Sequence, residues 1–141
     1  MIGVDTSFLV AFELGTHPLH ERARRIAADY AGESFAVAPQ VTAEFIHVVT
    51  DPRRFEKPLP MAEALGRSGK WWTASETVQV TPDASALSLF HEWMAEFRLA
   101  RRRILDTMLA ATYRTAGISV IVSSNWRDFA IFPGLHPVLL E

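Results

Sequence analysis

The opening stretch Met1-Ile2-Gly3-Val4-Asp5-Thr6-Ser7-Phe8-Leu9-Val10 decides the architecture. Ile2–Val4 reads as a short strand buried on both faces, because no polar residue alternates within it. Asp5-Thr6-Ser7 is a run of helix-capping residue types. The apolar residues after it predict a helix over Ser7–Leu14. A buried strand that passes directly into a helix is the start of a βα unit, and the rest of the chain keeps alternating in the same way.

Working outward, Leu19, Ala23, Ile26, Ala27 and Tyr30 recur at helical spacing, with Glu21, Arg22, Arg24 and Arg25 on other faces. Gly32 ends that helix. Phe35–Ala38 is a strand. Pro39 opens a helix through Val49, since proline at the first turn forfeits no needed N–H bond. Thr50–Pro60 is a proline-rich loop. Met61–Ala74 reads as a helix that Gly66 and Gly69 weaken, and Thr77–Val80 as a strand. Thr81 as N-cap and Pro82 at the first position predict the next helix, with Leu87, Phe90, Met94 and Phe97 as its apolar stripe. A further helix runs from about Arg102 to Ala116, closed by Gly117 in the left-handed conformation. Ile118–Val122 is a β-branched strand, and Val138–Leu140 is a last short one. Short apolar strands separated by helices predict an α/β fold: a three-layer α/β/α sandwich with a central parallel sheet, in one domain over residues 1–141.

Of the 141 residues, 49% are hydrophobic, which a chain that folds around a core requires. There is no cysteine, so disulfides, thiolate catalysis and cysteine-ligated metals are excluded, and a reducing, cytoplasmic location is expected. No apolar run is long enough for a membrane span, and Asp5 interrupts the place where a leader's apolar region would lie. The net charge of −2 leaves nucleic-acid contact to local basic patches.

The chemistry is carried by acids set in apolar surroundings, where a lone carboxylate is costly. Asp5 follows the first strand, and a cap for the helix behind it is the competing role. Glu44 shares a helix face with Val41, Phe45 and Val48, as a metal ligand or as half of a buried ion pair. Asp106 interrupts Ile104-Leu105-Asp106-Thr107-Met108-Leu109-Ala110-Ala111, apolar nearly all round and so expected to be buried. Pairing with Arg102 or Arg103 is its alternative. Asp128 follows the Ile118–Val122 strand, where an ordinary turn residue also fits. Functional groups in parallel sheets gather beyond the carboxyl ends of the strands, and these acids are expected at that edge. Carboxylates held together repel unless a cation offsets them. A divalent-metal site used for phosphodiester chemistry follows. Hard oxygen ligands suit Mg²⁺ or Mn²⁺.

In order and spacing, Asp5-Thr6-Ser7, Glu44, Leu105-Asp106-x-x-Leu109-Ala110-Ala111, Gly117, Ser123-Ser124-Asn125 and Asp128-Phe129 resemble a PIN domain, and within it the VapC toxins of type II toxin–antitoxin pairs. The likeness spans essentially the whole chain. It implies a PIN-like fold and a metal-dependent endoribonuclease that an antitoxin protein neutralises. It also implies a homodimer or higher assembly, and antitoxin contact within Thr42–Ala74, for which Leu59–Ala74 is the candidate segment. By position, Asp5, Glu44 and Asp106 match the family's regular acids. Ser123 takes the place of its threonine, and Asn125 takes the place of its fourth acid. That leaves Asp128 as the remaining carboxylate of the segment. Thr6, Ser123 and Asn125 are supporting residues. Arg98, Arg101 and Arg102, with Arg103, are candidate RNA contacts; a solvated basic junction is the alternative.

Three other functions compete: a housekeeping PIN nuclease, a metal-dependent phosphatase, and a PIN fold used only to bind RNA. Ser7 stands where such phosphatases often carry a second aspartate. His17 and His20 lack a third ligand nearby for zinc. Trp71 and Trp72 are adjacent and cannot share one helix face, so one is assigned to the core and the other to an interface.

Overall fold

The computed structural model describes all residues from Met1 to Glu141. Five strands, β1 (Ile2–Val4), β2 (Phe35–Val37), β3 (Thr77–Gln79), β4 (Val120–Ser123) and β5 (His136–Leu139), form one sheet in the order β3-β2-β1-β4-β5. Every pairing is parallel; Gly3 lies between Ala36 and Ile121, and Val4 pairs with Val122. The α/β sandwich expected from the sequence is therefore present. Helices α1 (Thr6–Glu13), α2 (His20–Asp29), α3 (Pro39–Val49) and α4 (Met61–Thr73) pack among themselves. α5 (Ala84–Glu96), α6 (Ile104–Thr115) and the short α7 (Trp126–Phe129) form the second layer. The right-handed rule for parallel crossovers puts these layers on opposite faces, because the chain moves one way from β1 to β3 and the other way from β3 through β4 to β5.

Strand order thus reverses between β1 and β4, the place where open α/β sheets bind ligands. Tyr113 braces that point. Its buried hydroxyl lies 2.6 Å from the Val4 carbonyl and 3.1 Å from that of Ala36. Gly3 makes room for the ring, since a Cβ there would stand 2.7 Å from Tyr113 Cδ2. Burial holds the Tyr113 phenol well above its ordinary pKa.

Several expected details differ. α1 begins at Thr6 rather than Ser7, because Asp5 itself caps it and accepts from Thr6 N–H at 2.7 Å. α5 begins at Ala84, not after Thr81: Asp83 accepts from the Ala86 N–H at 3.0 Å, and a carboxylate outcompetes threonine as cap. Of the expected stripe, Phe90 and Phe97 pack against the core. Ala86 and Trp93 are buried and Trp93 stacks on Phe132, whereas Leu87 is exposed. α6 is not buried throughout. Its first turn leaves Ile104 and Leu105 in solvent, and burial sets in at Thr107 and from Leu109 onward. β4 starts two residues later than expected, after Gly117 has turned the chain at φ 83°, and β5 spans His136–Leu139 rather than 138–140. α4 is continuous through Gly66 and Gly69, and Trp71 packs edge-on against Phe8, Phe12 and Phe35.

Candidate active site

Asp5 leaves the carboxyl end of β1 and is only 5% exposed. Three donors hold it: Thr6 N–H on Oδ1, and the hydroxyls of Ser7 (3.1 Å) and Ser123 on Oδ2. Of about four lone-pair directions on a carboxylate, one on Oδ1 remains. Ser123 closes β4, the neighbouring strand, and its Oγ also accepts from Asn125 N–H at 2.9 Å. The Ser7 hydroxyl accepts from Ser124 N–H at 3.0 Å. Adjacent strand ends are thus tied together through Asp5. Burial raises its pKa; the hydrogen bonds pull the other way, and Glu44 adds a smaller upward push.

Glu44 comes from the middle of α3 and is half-buried. Thr6 Oγ1 donates to Oε2 at 3.1 Å and Gln40 Nε2 to Oε1 at 2.9 Å. The same Gln40 nitrogen donates to the Leu105 carbonyl at 2.8 Å. Gln40 therefore clamps α3 to the start of α6, one residue before Asp106. Asp106 sits in the first turn of α6, and no hydrogen bond reaches its carboxylate. Burial first, then the charges of Asp5, Asp128 and Glu44, push its pKa up to about 7, against a smaller opposing effect of Arg103.

These three acids line one cleft of about 550 Å³, together with Thr6, Ser7 and Asn125. None of the molecule's ion pairs includes Asp5, Glu44 or Asp106. The ion-pair alternatives for Glu44 and Asp106 are therefore not formed. Arg103 turns instead to Asp128, with Nη1 3.8 Å from Oδ1 and Nη2 donating to the Asp128 carbonyl. Asp128 lies on α7 outside the cleft lining, close enough for its charge to raise Asp106. Asn125, not Asp128, faces the cleft at this position. As the side chains stand, no three carboxylates close around one point at ligating distance. The fold fixes a shared cleft of hard oxygen donors whose repulsion is visible in Asp106, and that donor set fits a divalent cation.

Arg101 and Arg102 are exposed and line an adjoining groove of about 460 Å³ that shares Glu44 and Asp106. Arg98 lies outside both hollows. Its φ of 51° makes it the left-handed residue that ends α5. The sequence assigns no site role to Gln40, which holds Glu44 from beside the cleft and carries no motif. His17, weighed only as a zinc ligand, and Arg54, on loops after α1 and α3, also line the cleft.

Comparison with known proteins settles the family. The PIN domain family model matches residues 2–134. This chain belongs to the PIN-domain family. Ribonuclease VapC31 of Mycobacterium tuberculosis is 30% identical over 142 residues, covering 98% of this chain and 97% of that protein, which places the chain among the VapC members. Two crystal structures share the PIN fold. VapC20 of M. tuberculosis, described as a Sarcin-Ricin loop cleaving toxin, superposes with a TM-score of 0.68 at 20% identity, over 86% of this chain and 87% of that one. VapBC2 from Rickettsia felis, bound to a DNA fragment from its promoter, gives 0.69 at 15% identity over 100% of both chains. The PIN resemblance read from the residues is thereby confirmed.

Proposed function

We propose that this chain is a Mg²⁺- or Mn²⁺-dependent endoribonuclease and the toxin of a toxin–antitoxin pair. The observation that carries the reading is the convergence of Asp5, Glu44 and Asp106, none paired with a cation, on one cleft at the β1/β4 switch point. Its kinship with ribonuclease VapC31 supports RNA as the substrate.

Asp5, Glu44 and Asp106 would hold the metal, with Asn125 or Asp128 completing the shell. A bound divalent cation supplies Lewis-acid polarisation of a phosphodiester oxygen and lowers the pKa of water. The chain's own residues prepare the site for it. Ser7, Ser123 and the Thr6 N–H fix the Asp5 carboxylate, so that no rotamer search precedes ligand binding. Thr6 and Gln40 orient Glu44 in the same way. Asp106, free of hydrogen bonds, is the ligand that can adjust. Arg101 and Arg102, beside Glu44 and Asp106, suit substrate phosphates. For the antitoxin, a separate protein, the Leu59–Ala74 segment is the candidate contact, supported by Met61 and Leu65 of α4, which expose 54% and 53% of their surface.

Asp106→Asn is the cleaner test, because it changes charge without breaking a hydrogen bond. Purified wild type incubated with total small RNA should give discrete products with Mg²⁺ or Mn²⁺ and none with EDTA. The variant should lose at least 100-fold in rate, roughly the scale of losing a group that acts on the transition state. Full activity in the folded variant would remove the acid-cleft assignment.

A further inference from the structure

Besides Asn125, two residues of the cleft can offer cationic or N–H groups to a substrate, and the metal chemistry uses neither of these two. His17 comes from the turn between α1 and α2, and Arg54 from the loop after α3. Neither is paired with Asp5, Glu44 or Asp106.

Both are built into place. The His17 N–H donates to the Leu14 carbonyl at 2.9 Å, and the His17 carbonyl accepts from His20 N–H at 3.0 Å. The ring Nδ1 lies 3.0 Å from Leu19 N–H. A backbone N–H can only donate, so Nδ1 carries a lone pair and the proton of the neutral ring sits on Nε2. Burial, and the nearby His20, hold His17 below the usual histidine range and favour that neutral ring. His17 therefore offers the cleft an N–H donor. On the other loop, Arg54 Nε stands 3.6 Å from Asp51 Oδ2. The N–H groups of Arg54 and Phe55 donate to the Asp51 carbonyl at 3.1 and 3.2 Å, and Leu59 N–H donates to Val49 at 2.9 Å. Phe55 packs against the core. With the Nε edge held by Asp51, the two amino groups of Arg54 stay available, and 60% of the side chain is exposed.

Two acids are thus shared by two hollows that carry separate donor sets. Arg101 and Arg102 share the adjoining groove with Glu44 and Asp106; His17 and Arg54 share the main cleft with the same two acids. An RNA strand crossing the acids carries a phosphate on each side of the one being cut. Each must be brought past three carboxylates, which needs local positive charge or donors. In the adjoining groove Arg101 and Arg102 provide them. We propose that His17 and Arg54 form a subsite for the RNA phosphate flanking the scissile one, on the side away from Arg101 and Arg102. This inference rests on the ribonuclease reading.

The test uses binding, so it does not depend on turnover. A fluorescent dodecanucleotide RNA is titrated by anisotropy at several salt concentrations against the full-length Asp106→Asn protein, which spares the probe. Arg54→Gln in that background should weaken binding roughly tenfold and lower the slope of log K against log salt by about 0.7, the value for one contact to a single strand. Arg54→Lys should restore the slope. His17→Asn keeps an acceptor for Leu19 N–H but loses the Nε2 donor. It should weaken binding several-fold with unchanged salt slope and melting temperature, and His17→Gln should recover part of the loss. Wild-type-like affinity and slope in Arg54→Gln and His17→Asn would overturn the subsite alone. A folded parent protein that binds no RNA would overturn it together with the ribonuclease reading.

Discussion

At Asp106, burial and three neighbouring carboxylates act in one direction, and only Arg103 opposes them. With a native pKa of about 7 against 3.8 for the free side chain, the folded protein binds a proton there that the unfolded chain has already lost. The folded state therefore holds more protons between roughly pH 4 and 7, and the group's effect on stability worsens as pH rises through that window. His17, whose pKa is lowered, runs the opposite way, so the wild-type curve alone would blend the two. A difference measurement separates them. In EDTA, Asp106→Asn should melt higher than wild type at pH 8, and the gap should close by about pH 5; thermal scans across pH check this. A gap independent of pH would mean that burial and the neighbouring acids do not raise the Asp106 pKa. Asp5, Glu44 and Asp106 could be singled out in the sequence because each is a carboxylate in an apolar setting. Their lack of cationic partners could not be. Arg102 and Arg103 precede Asp106 by one turn, and only the packing of α7 shows that Arg103 goes to Asp128.

The helices show what a sequence pattern leaves open. Thr81-Pro82 and Asp83 are both sound helix starts, and the stripe read from the sequence holds at Phe90 and Phe97 but not at Leu87, since packing centres the buried face on Ala86 and Trp93. Trp93 then meets Phe132, a contact that arises only once α5 packs beside the segment after α7. At the other end of α5, Arg98 occupies the left-handed position where glycine is usual, and Leu99 N–H closes the turn on the Met94 carbonyl at 3.0 Å. A side chain in that region costs about 1 kcal/mol or more. Arg98→Gly should therefore stabilise the protein by about 1 kcal/mol in denaturant titrations, while RNA affinity stays within twofold, since Arg98 lines neither hollow. A weaker fold would show that the arginine side chain supports the turn in another way. A large loss of affinity would return Arg98 to the RNA-contacting set.

Across the whole molecule, strand order brings the acids together. β1 and β4 are distant in sequence but adjacent in the sheet, and Asp5 accepts from Ser123 across their carboxyl ends. The alternation of strands and helices made the parallel sheet readable, and the sheet made the shared edge of the acids readable. Loops are different. Nothing local in the Leu14–Leu19 turn or the Thr50–Pro60 loop announces that His17 and Arg54 enter the same cleft, because only the packed helices between them set that distance. No helix is long and apolar enough to cross a membrane. The central claim is that this cleft is a divalent-metal centre that cuts RNA. It is tested most directly by adding Mn²⁺ stepwise to the metal-free protein. Bound Mn²⁺, read from the loss of its free paramagnetic signal, and the rate of RNA cleavage are followed on the same samples. The two should rise together with one midpoint, and both should collapse in Asp106→Asn. Cleavage that proceeds without metal, or Mn²⁺ binding of undiminished affinity in the variant, would contradict the account.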